Sequence, residues 1–171
     1  MKISYNQKVG TQPKFEWTFP DGFILITDTR EQNTLFRKPP KGLLVLRDTL
    51  TVGDYSVRGF TDEIVIERKS IPDLYSSLFS DWERELKKLQ KISEYKRKFL
   101  LIEGEEKEVL CWQAHSGVHP NAMRARLCAI QIRLGIPVHY AATRGDAERY
   151  VLDLLIRYYR DKRENKEGFQ K

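Results

Sequence analysis

The sequence predicts an α/β domain with a mixed central sheet and helices on both of its faces. Short apolar segments with strand character come first, and amphipathic helices alternate with strands after them. That order favours a mixed sheet covered by helices. A chain of 171 residues, 40% hydrophobic and 32% charged, fits one globular domain, since domains average roughly 150 residues. No repeat, linker or low-complexity segment divides it.

Seven strands are expected. Phe15, Trp17 and Phe19 alternate ahead of a Pro-Asp-Gly turn, and an apolar run follows the turn at 23–26. This pattern predicts an N-terminal hairpin. The three aromatic rings could cover an open sheet edge or stack on unpaired bases. The other predicted strands are 42–46, 55–57 paired with 63–67, 99–102 and 136–140.

Amphipathic helices are predicted between and after the later strands. Ser70 and Ser80 each stand three residues before an acid, which is typical of a helix N-cap. We therefore expect one helix at 71–79 and a second from Ser80 to about Lys98. Gly135 should end a third helix. A last helix carries an apolar stripe ahead of a polar tail that begins near Arg160: Tyr150, Val151, Leu154, Leu155 and Tyr158.

Composition favours an intracellular protein with a polyanionic partner. Thirty Lys and Arg residues against 24 Asp and Glu give a formal charge of +6. No apolar run reaches the roughly 20 residues that a membrane span needs, and the first residues lack the apolar stretch of a signal peptide. The two cysteines, Cys111 and Cys128, fit a reducing compartment. We expect DNA association and no membrane partner.

Acidic and basic residues come together in three blocks. Glu67 and Lys69 lie two apart on a predicted strand, so both side chains leave from one face and Arg68 from the other. Asp54 follows a glycine in the turn before the paired strands, so its carboxylate can return toward Glu67. Upstream, Asp28 and Glu31 would share one side if the chain turns helical there.

Such a cluster of carboxylates needs a counter-charge. Two like charges about 4 Å apart repel by roughly 4 kcal/mol at an effective dielectric constant of about 20. Hard oxygen ligands suit Mg²⁺ or Mn²⁺, whereas zinc prefers His or Cys. An ion of this kind activates water and polarises phosphoryl oxygens. The residues therefore point to phosphodiester hydrolysis.

In these blocks the sequence resembles the XPF-type structure-specific endonucleases, relatives of archaeal Hef. The matching patterns are Asp28-x-Arg30-Glu31, Gly53-Asp54 and Glu67-Arg68-Lys69-x-x-x-Asp73. The resemblance implies a restriction-endonuclease-like nuclease domain at 23–160, an N-terminal extension at 1–22 and a polar tail at 161–171. It also implies metal-dependent cutting of DNA at flaps, forks or junctions.

The resemblance implies roles for eight residues. Asp28, Glu31, Asp54 and Glu67 would be metal ligands, and Lys69 the catalytic cation. Arg30 and Arg68 would meet phosphate or support the site. Asp73 would support the metal ligands without binding the ion itself. The Ser70-x-x-Asp73 pattern is also an adequate helix start without any catalytic role.

Further basic residues are candidates for DNA contacts. Lys87, Lys88 and Lys91 on the second predicted helix could follow a phosphate backbone, as could Arg126 and Arg133 on the third. A solvated helix face would carry the same residues. The charge cluster Lys96, Arg97 and Lys98 is open to both interpretations.

A metal site of a different type is a weaker possibility. Cys111, His115 and His119 are spaced by four residues, which on one uninterrupted helix would align them for a soft metal. Ser116-Gly117 interrupts the run, so a half-buried thiol with ordinary surface histidines is the better interpretation.

Partners and alternatives follow from the resemblance. Family members usually add a tandem helix-hairpin-helix module, and we find no hairpin of that kind past Gly135. The DNA grip is then expected from the basic surface, from a homodimer or heterodimer through this domain, or from a partner. An exposed part of the last apolar stripe is the candidate dimer surface. A catalytically silent DNA-binding or dimer-scaffold subunit, and a nuclease for RNA or for any DNA end, are the alternatives.

Overall fold

The structure is a computed structural model that describes residues 17–111 and 117–164. Within this part the strands form one sheet in the order β2-β1-β3-β4-β5-β6. β3 runs antiparallel to both of its neighbours, β1 and β4, and the other pairs are parallel. The strands are β1 Ile24–Asp28, β2 Leu44–Asp48, β3 Tyr55–Val57, β4 Ile64–Ser70, β5 Arg97–Glu103 and β6 Val138–Ala141. The mixed sheet predicted from the sequence is thereby confirmed.

Helices cover both faces of the sheet. One face packs on the last helix, where Val151 and Leu155 are fully buried against Leu25 and Ile66. The other face, represented by Val65 of β4, packs on the remaining helices. The helices are α1 Ile71–Tyr75, a π-helical turn Ser76–Ser80, α2 Trp82–Ser93, α3 Glu106–Cys111, α4 Pro120–Leu134 and α5 Arg144–Arg163.

Local chemistry explains where these elements begin and end. The Ser70 side chain accepts a hydrogen bond from the Asp73 backbone N–H, which confirms Ser70 as the N-cap of α1. Gly135 ends α4 in the left-handed conformation with φ of 61°, as expected for a C-terminal glycine. Thr143 and Asp146 form a reciprocal capping box at the start of α5.

Three predicted features of the helices are wrong. Ser80 does not cap α2, because the π-helical turn runs through it and α2 begins after Asp81. That helix ends at Ser93 rather than near Lys98. The basic residues at 97–98 belong to β5, where backbone pairing with β4 overrides their helical spacing. The last helix extends to Arg163, past the expected onset of the polar tail.

The N-terminal aromatic residues do not form the predicted strand where the structure describes them. Trp17 and Phe19 lie in irregular chain, and Phe15 lies outside the described residues. Their rings stack in sequence, with centroids 6.4 Å apart between Trp17 and Phe19 and 6.0 Å between Phe19 and Phe23. Both pack against the core beside α5. This position favours a role in covering the core over stacking on bases.

The apolar stripe of α5 also belongs to the core. Val151 and Leu155 are completely buried, and Tyr150, Leu154 and Tyr158 are partly buried against the same cluster. Little of the stripe is left as a candidate dimer surface. Among the described residues, no helix is both long enough and apolar enough to cross a bilayer.

Candidate active site

The three sequence blocks meet beside one cavity at the edge of the sheet. The cavity has a volume of about 1210 Å³. Acids from two separate parts of the chain, Asp28 and Glu31 in one and Asp54 in the other, lie in its wall, and Arg68 lies beside them. Glu67 is only 1% exposed and lies in the same neighbourhood. The basic residues on this wall come from the β1 end and from α2: Arg30, Arg84, Lys87, Lys88 and Lys91.

A glycine turn places Asp54. Gly53 has φ of 82°, and a Cβ atom built on it would stand 2.2 Å from Cγ2 of Val65. Only glycine fits this close approach to β4. The turn lets the Asp54 backbone join two strands, since its N–H donates to Ile66 O at 3.0 Å and its carbonyl accepts from the Asp28 N–H at 2.9 Å. Asp54 is therefore fixed by main-chain bonds on both sides.

The surroundings of the Asp54 carboxylate disfavour its negative charge. Its Oδ2 accepts a hydrogen bond from the Arg68 backbone N–H at 2.7 Å. Burial, followed by the negative charge of Glu67, raises the pKa of Asp54 to about 8. Lys88 and the Arg68 hydrogen bond act in the opposite direction. Asp54 and Glu67 thus form a carboxylate pair that a proton or a cation would stabilise.

Glu67 faces two lysines with one of its oxygens. Its Oε1 lies 2.5 Å from the Lys88 ammonium and 3.5 Å from that of Lys69. Its Oε2 is buried and has no hydrogen-bond partner among the described residues. A buried carboxylate oxygen without a donor is energetically unfavourable unless a ligand satisfies it. The unpartnered Oε2 of Glu67 could therefore bind a cation.

A second acid, Glu85, holds Lys69 from the opposite side. The Lys69 ammonium donates to Ser77 Oγ at 3.0 Å and to Glu85 Oε2 at 3.2 Å. Glu85 lies on α2, is 6% exposed, and is a site residue that the sequence prediction missed. A signal was present, because Glu85 falls in helical register with the buried Leu89 and Ile92. An acid in an apolar stripe requires a partner, and here the partner is Lys69.

Asp28 is already saturated with donors. Its Oδ1 accepts from the Arg30 backbone N–H at 2.8 Å and from Arg30 Nε at 2.7 Å. Its Oδ2 accepts from Arg30 Nη2 at 2.9 Å and from the Leu50 N–H at 2.8 Å. Burial by itself raises the pKa of Asp28, but these hydrogen bonds outweigh it and hold the pKa below its usual value. Asp28 and Arg30 act here as a closed pair.

Arg68 points to the other face of β4, as the alternation predicted. Its guanidinium contacts Glu31 Oε1 at 3.1 Å and Glu103 Oε2 at 2.8 Å. Burial by itself lowers the pKa of Arg68, but nearby Tyr55, Glu103 and Glu31 outweigh it and raise the pKa above its usual value. Glu31 Oε1 also accepts the Asn33 N–H at 2.6 Å. Arg68 and Glu31 therefore anchor the strand end to its surroundings.

The remaining predicted site residues, Asp73, Arg126 and Arg133, differ in how near they lie to the cavity. Asp73 lines the cavity, and its Oδ2 accepts a hydrogen bond from Ser70 Oγ at 2.6 Å. Arg126 lies over the Trp82 ring at 4.0 Å, and Trp82 lines the cavity. Arg133 is exposed on α4 and does not line the cavity. The structure thus brings Asp73 to the site, Arg126 to its margin, and Arg133 to neither.

The donor set fits a divalent ion in part. Within residues 17–111 and 117–164, no three acidic, histidine or cysteine side chains converge on one point. The four predicted ligands are therefore not gathered into one set, since Asp28 and Glu31 are engaged by arginines. Asp54 and the unpartnered oxygen of Glu67 suit a hard cation. The ligand roles of all four acids stay predictions.

The soft-metal alternative finds no support in the described residues. Cys111 is exposed at the end of α3. His119 is the N-cap of α4, and its Nδ1 accepts the Asn121 N–H at 3.1 Å. His115 lies outside the described residues.

Comparisons with known proteins agree on one family. The model of the ERCC4 domain matches residues 27–154. The 3′-flap repair endonuclease Xpf of Saccharolobus solfataricus is 36% identical over 69 residues, which are 40% of this chain and 28% of that protein. The chain therefore spans little more than a quarter of the length of this relative.

Solved structures show the same fold. XPF from Aeropyrum pernix superposes with a TM-score of 0.64 at 22% identity, over 84% of this chain and 68% of that one. The same protein in complex with DNA gives a TM-score of 0.56 at 23% identity, over 81% and 65%. This similarity confirms the restriction-endonuclease-like α/β fold. With the ERCC4 model covering more than half of its residues, the chain belongs to the ERCC4 domain family and has the fold of an XPF-type nuclease domain.

Proposed function

We propose that this chain is a divalent-metal-dependent DNA endonuclease that cuts near flaps, forks or junctions. The observation that carries the proposal is the buried Asp54–Glu67 pair, which has one unpartnered carboxylate oxygen and a cationic wall beside it. Membership of the ERCC4 domain family supports the reaction class. The relative named as a 3′-flap repair endonuclease supports a branched substrate.

Asp54 and Glu67 would hold the ion, and Asp28 and Glu31 are the further oxygen donors predicted for it. Mg²⁺ or Mn²⁺ supplies Lewis acidity toward a phosphoryl oxygen and lowers the pKa of bound water. Every donor in question is a carboxylate oxygen, which favours these hard ions over zinc.

The protein's own side chains orient the reaction. Lys69 is held by Glu85 and Ser77 so that its ammonium stays 3.5 Å from Glu67. It therefore brings a fixed positive charge to the place where a phosphate would gain negative charge. Because Lys69 is 7% exposed, water competes little for this charge.

The basic wall of the cavity would position DNA. Lys87 and Lys91 of α2 are exposed and line the cavity, and phosphate contacts with such residues release counterions. Arg30 keeps 63% of its side chain exposed while it bonds Asp28, so its outer side can meet a phosphate. A structural relative was solved in complex with DNA, which supports DNA as the partner. Dimerisation through this domain stays a prediction.

Cleavage of labelled nucleic acids tests the proposal. We expect flap, fork or junction DNA to be cut in Mg²⁺ or Mn²⁺, and no cutting in EDTA. Single-stranded DNA and RNA should be poorer substrates. Asp54→Asn should lower the rate by about 100-fold or more, because the acid pair loses one of its two charges.

Asp48→Asn is the matched control. Asp48 ends β2 beside Asp28, is exposed, and lies outside the cavity wall, so this variant should keep its rate. Cutting that survives EDTA or Asp54→Asn would contradict the mechanism. DNA binding without any cutting would favour the alternative of a silent scaffold subunit.

A further inference from the structure

The two lysines at Glu67 differ in how firmly they are held. Lys69 has three partners, Ser77, Glu85 and Glu67, and its side chain is 8% exposed. Lys88 contacts Glu67 Oε1 at 2.5 Å, makes no other hydrogen bond or ion pair among the described residues, and has a side chain that is 36% exposed. Lys69 is a fixed part of the site, whereas Lys88 reaches it from the cavity on a flexible stem.

Lys88 also compensates both acids of the pair. It is the leading influence that lowers the pKa of Asp54 against burial and Glu67. Burial by itself lowers the pKa of Lys88, but Glu67 and Asp54 outweigh it and raise that pKa above its usual value. The acid pair and Lys88 are therefore coupled by charge.

A divalent ion and the Lys88 ammonium would compete for the same space and for the negative charge of the same carboxylates. Glu67 offers Oε1 to the ammonium, and its neighbouring Oε2 is the unpartnered atom. A cation bound to Oε2 and Asp54 would stand within a few ångströms of the ammonium. Like charges repel strongly at about 4 Å in a partly buried site. Lys88 is free to move away, since more than a third of its side chain already faces solvent.

We propose that Lys88 is a tethered cation that competes with the divalent ion for Glu67 and Asp54, so that the ion binds only when Lys88 withdraws. This inference rests on the proposed metal-dependent function. It gives Lys88 a role different from that of Lys87 and Lys91, which line the same cavity without a contact to either acid. Lys88 is then a gate on ion affinity and not primarily a phosphate ligand.

Calorimetric titration with Mn²⁺ alone tests the inference on the full chain. Lys88→Gln removes the competing charge, so we expect it to bind Mn²⁺ about tenfold more tightly than the wild type. Lys88→Arg keeps the charge and should bind like the wild type. Lys87→Gln carries the same change in net charge on the same helix and should stay within about twofold.

The outcomes separate the two proposals. If the wild type binds Mn²⁺, Asp54→Asn does not, and Lys88→Gln binds no tighter than the wild type, the gate is wrong and the metal site stands. If neither the wild type nor Lys88→Gln binds more Mn²⁺ than Asp54→Asn, the metal-dependent function itself is wrong.

A measurement on the wild type guards against a poorly folded variant. The Lys88 Cε–Hε resonance, assigned with Lys88→Arg, should shift as Mg²⁺ is added, because its ammonium leaves Glu67. The Lys87 resonance should not shift. A Lys88 resonance that stays in place at saturating Mg²⁺ would overturn the proposal.

Discussion

Asp28 and Asp54 lie side by side and experience opposite electrostatics. The two residues are joined by a hydrogen bond from the Asp28 N–H to the Asp54 carbonyl, and both carboxylates face the same cavity. Asp28 receives four hydrogen bonds, which hold its pKa below the usual value. Asp54 receives one from Arg68 and faces Glu67, and its pKa rises to about 8.

The contrast teaches that burial alone does not mark an acid as functional. Asp28 is 1% exposed, yet Arg30 and the Leu50 N–H supply the charge and the donors that it needs. Asp54 accepts only the Arg68 N–H among the described residues, and Glu67 keeps one oxygen unpartnered despite its two lysines, so the pair stores unfavourable charge until something binds. The number of donors, more than the depth of burial, separates an acid whose charge is already compensated from an acid whose charge is not.

The largest effect should come from neutralising Asp28. Asp28→Asn removes the charge that Arg30 and the Leu50 N–H need, so we expect a loss of about 3 kcal/mol in the free energy of unfolding at pH 7.5. Asp54→Asn should cause no such loss in EDTA, because it relieves repulsion with Glu67. Urea unfolding measures both variants. Equal destabilisation by Asp28→Asn and Asp54→Asn would contradict the contrast between the two acids. The control Asp48→Asn should stay within about 0.5 kcal/mol of the wild type.

The pH dependence of the free energy of unfolding should sharpen the contrast between Asp54 and Asp28. The folded pKa of Asp54, about 8, exceeds its unfolded value of 3.8, so the folded state keeps a proton that the unfolded state loses. The stability that this proton contributes is complete below about pH 4 and is lost as the pH rises toward 8. In EDTA, the wild type should therefore lose several kcal/mol of stability relative to Asp54→Asn as the pH rises through this range, since each pKa unit corresponds to about 1.4 kcal/mol.

Urea unfolding at several pH values, for both proteins, measures that difference. A stability difference that does not change between pH 4 and 8 would contradict the raised pKa of Asp54. For Asp28 the sign is opposite: its pKa is lowered, so its contribution is present above the unfolded pKa and is lost only in acid.

The smallest effect concerns the geometry of the closed pair. Arg30→Lys keeps a charge but cannot reproduce the guanidinium bonds to both Asp28 oxygens, so we expect a loss of about 1 kcal/mol. The side chain of Arg30 is 63% exposed, and solvent screening keeps the effect small. Arg37→Lys is the matched control, since Arg37 is exposed and bonds only Asn33 among the described contacts. A larger loss for Arg37→Lys than for Arg30→Lys in urea unfolding would refute this account.

Much of the site could be predicted because strand alternation is strict. Glu67, Arg68 and Lys69 have side chains on alternating faces of β4, and this spacing alone separated the acid–lysine pair from the arginine. The glycine turn before Asp54 and the Ser70 N-cap were equally local. Patterns that depend on one strand or one turn carried through to the structure.

Features that depend on tertiary partners could not be predicted. The apolar register of Glu85 on α2 indicates a buried position, but only the fold identifies Lys69 as its partner. No sequence pattern predicted the ion pair between Arg30 and Asp28 or the one between Lys88 and Glu67. The end of α2 was missed for a similar reason, because pairing of Arg97 with Ile64 draws that basic segment into the sheet. The contacts of a charged side chain can be assigned only when the fold shows which partners lie beside it.

The turn at Gly53 has a consequence for how variation in this chain should be judged. The residue carries no functional group, yet any side chain there would collide with Val65 and push the next residue away from Ile66. Replacing Asp54 deletes a carboxylate, and replacing Gly53 displaces the same carboxylate. The two neighbouring positions are thus equally intolerant of change for unrelated reasons, one chemical and one steric.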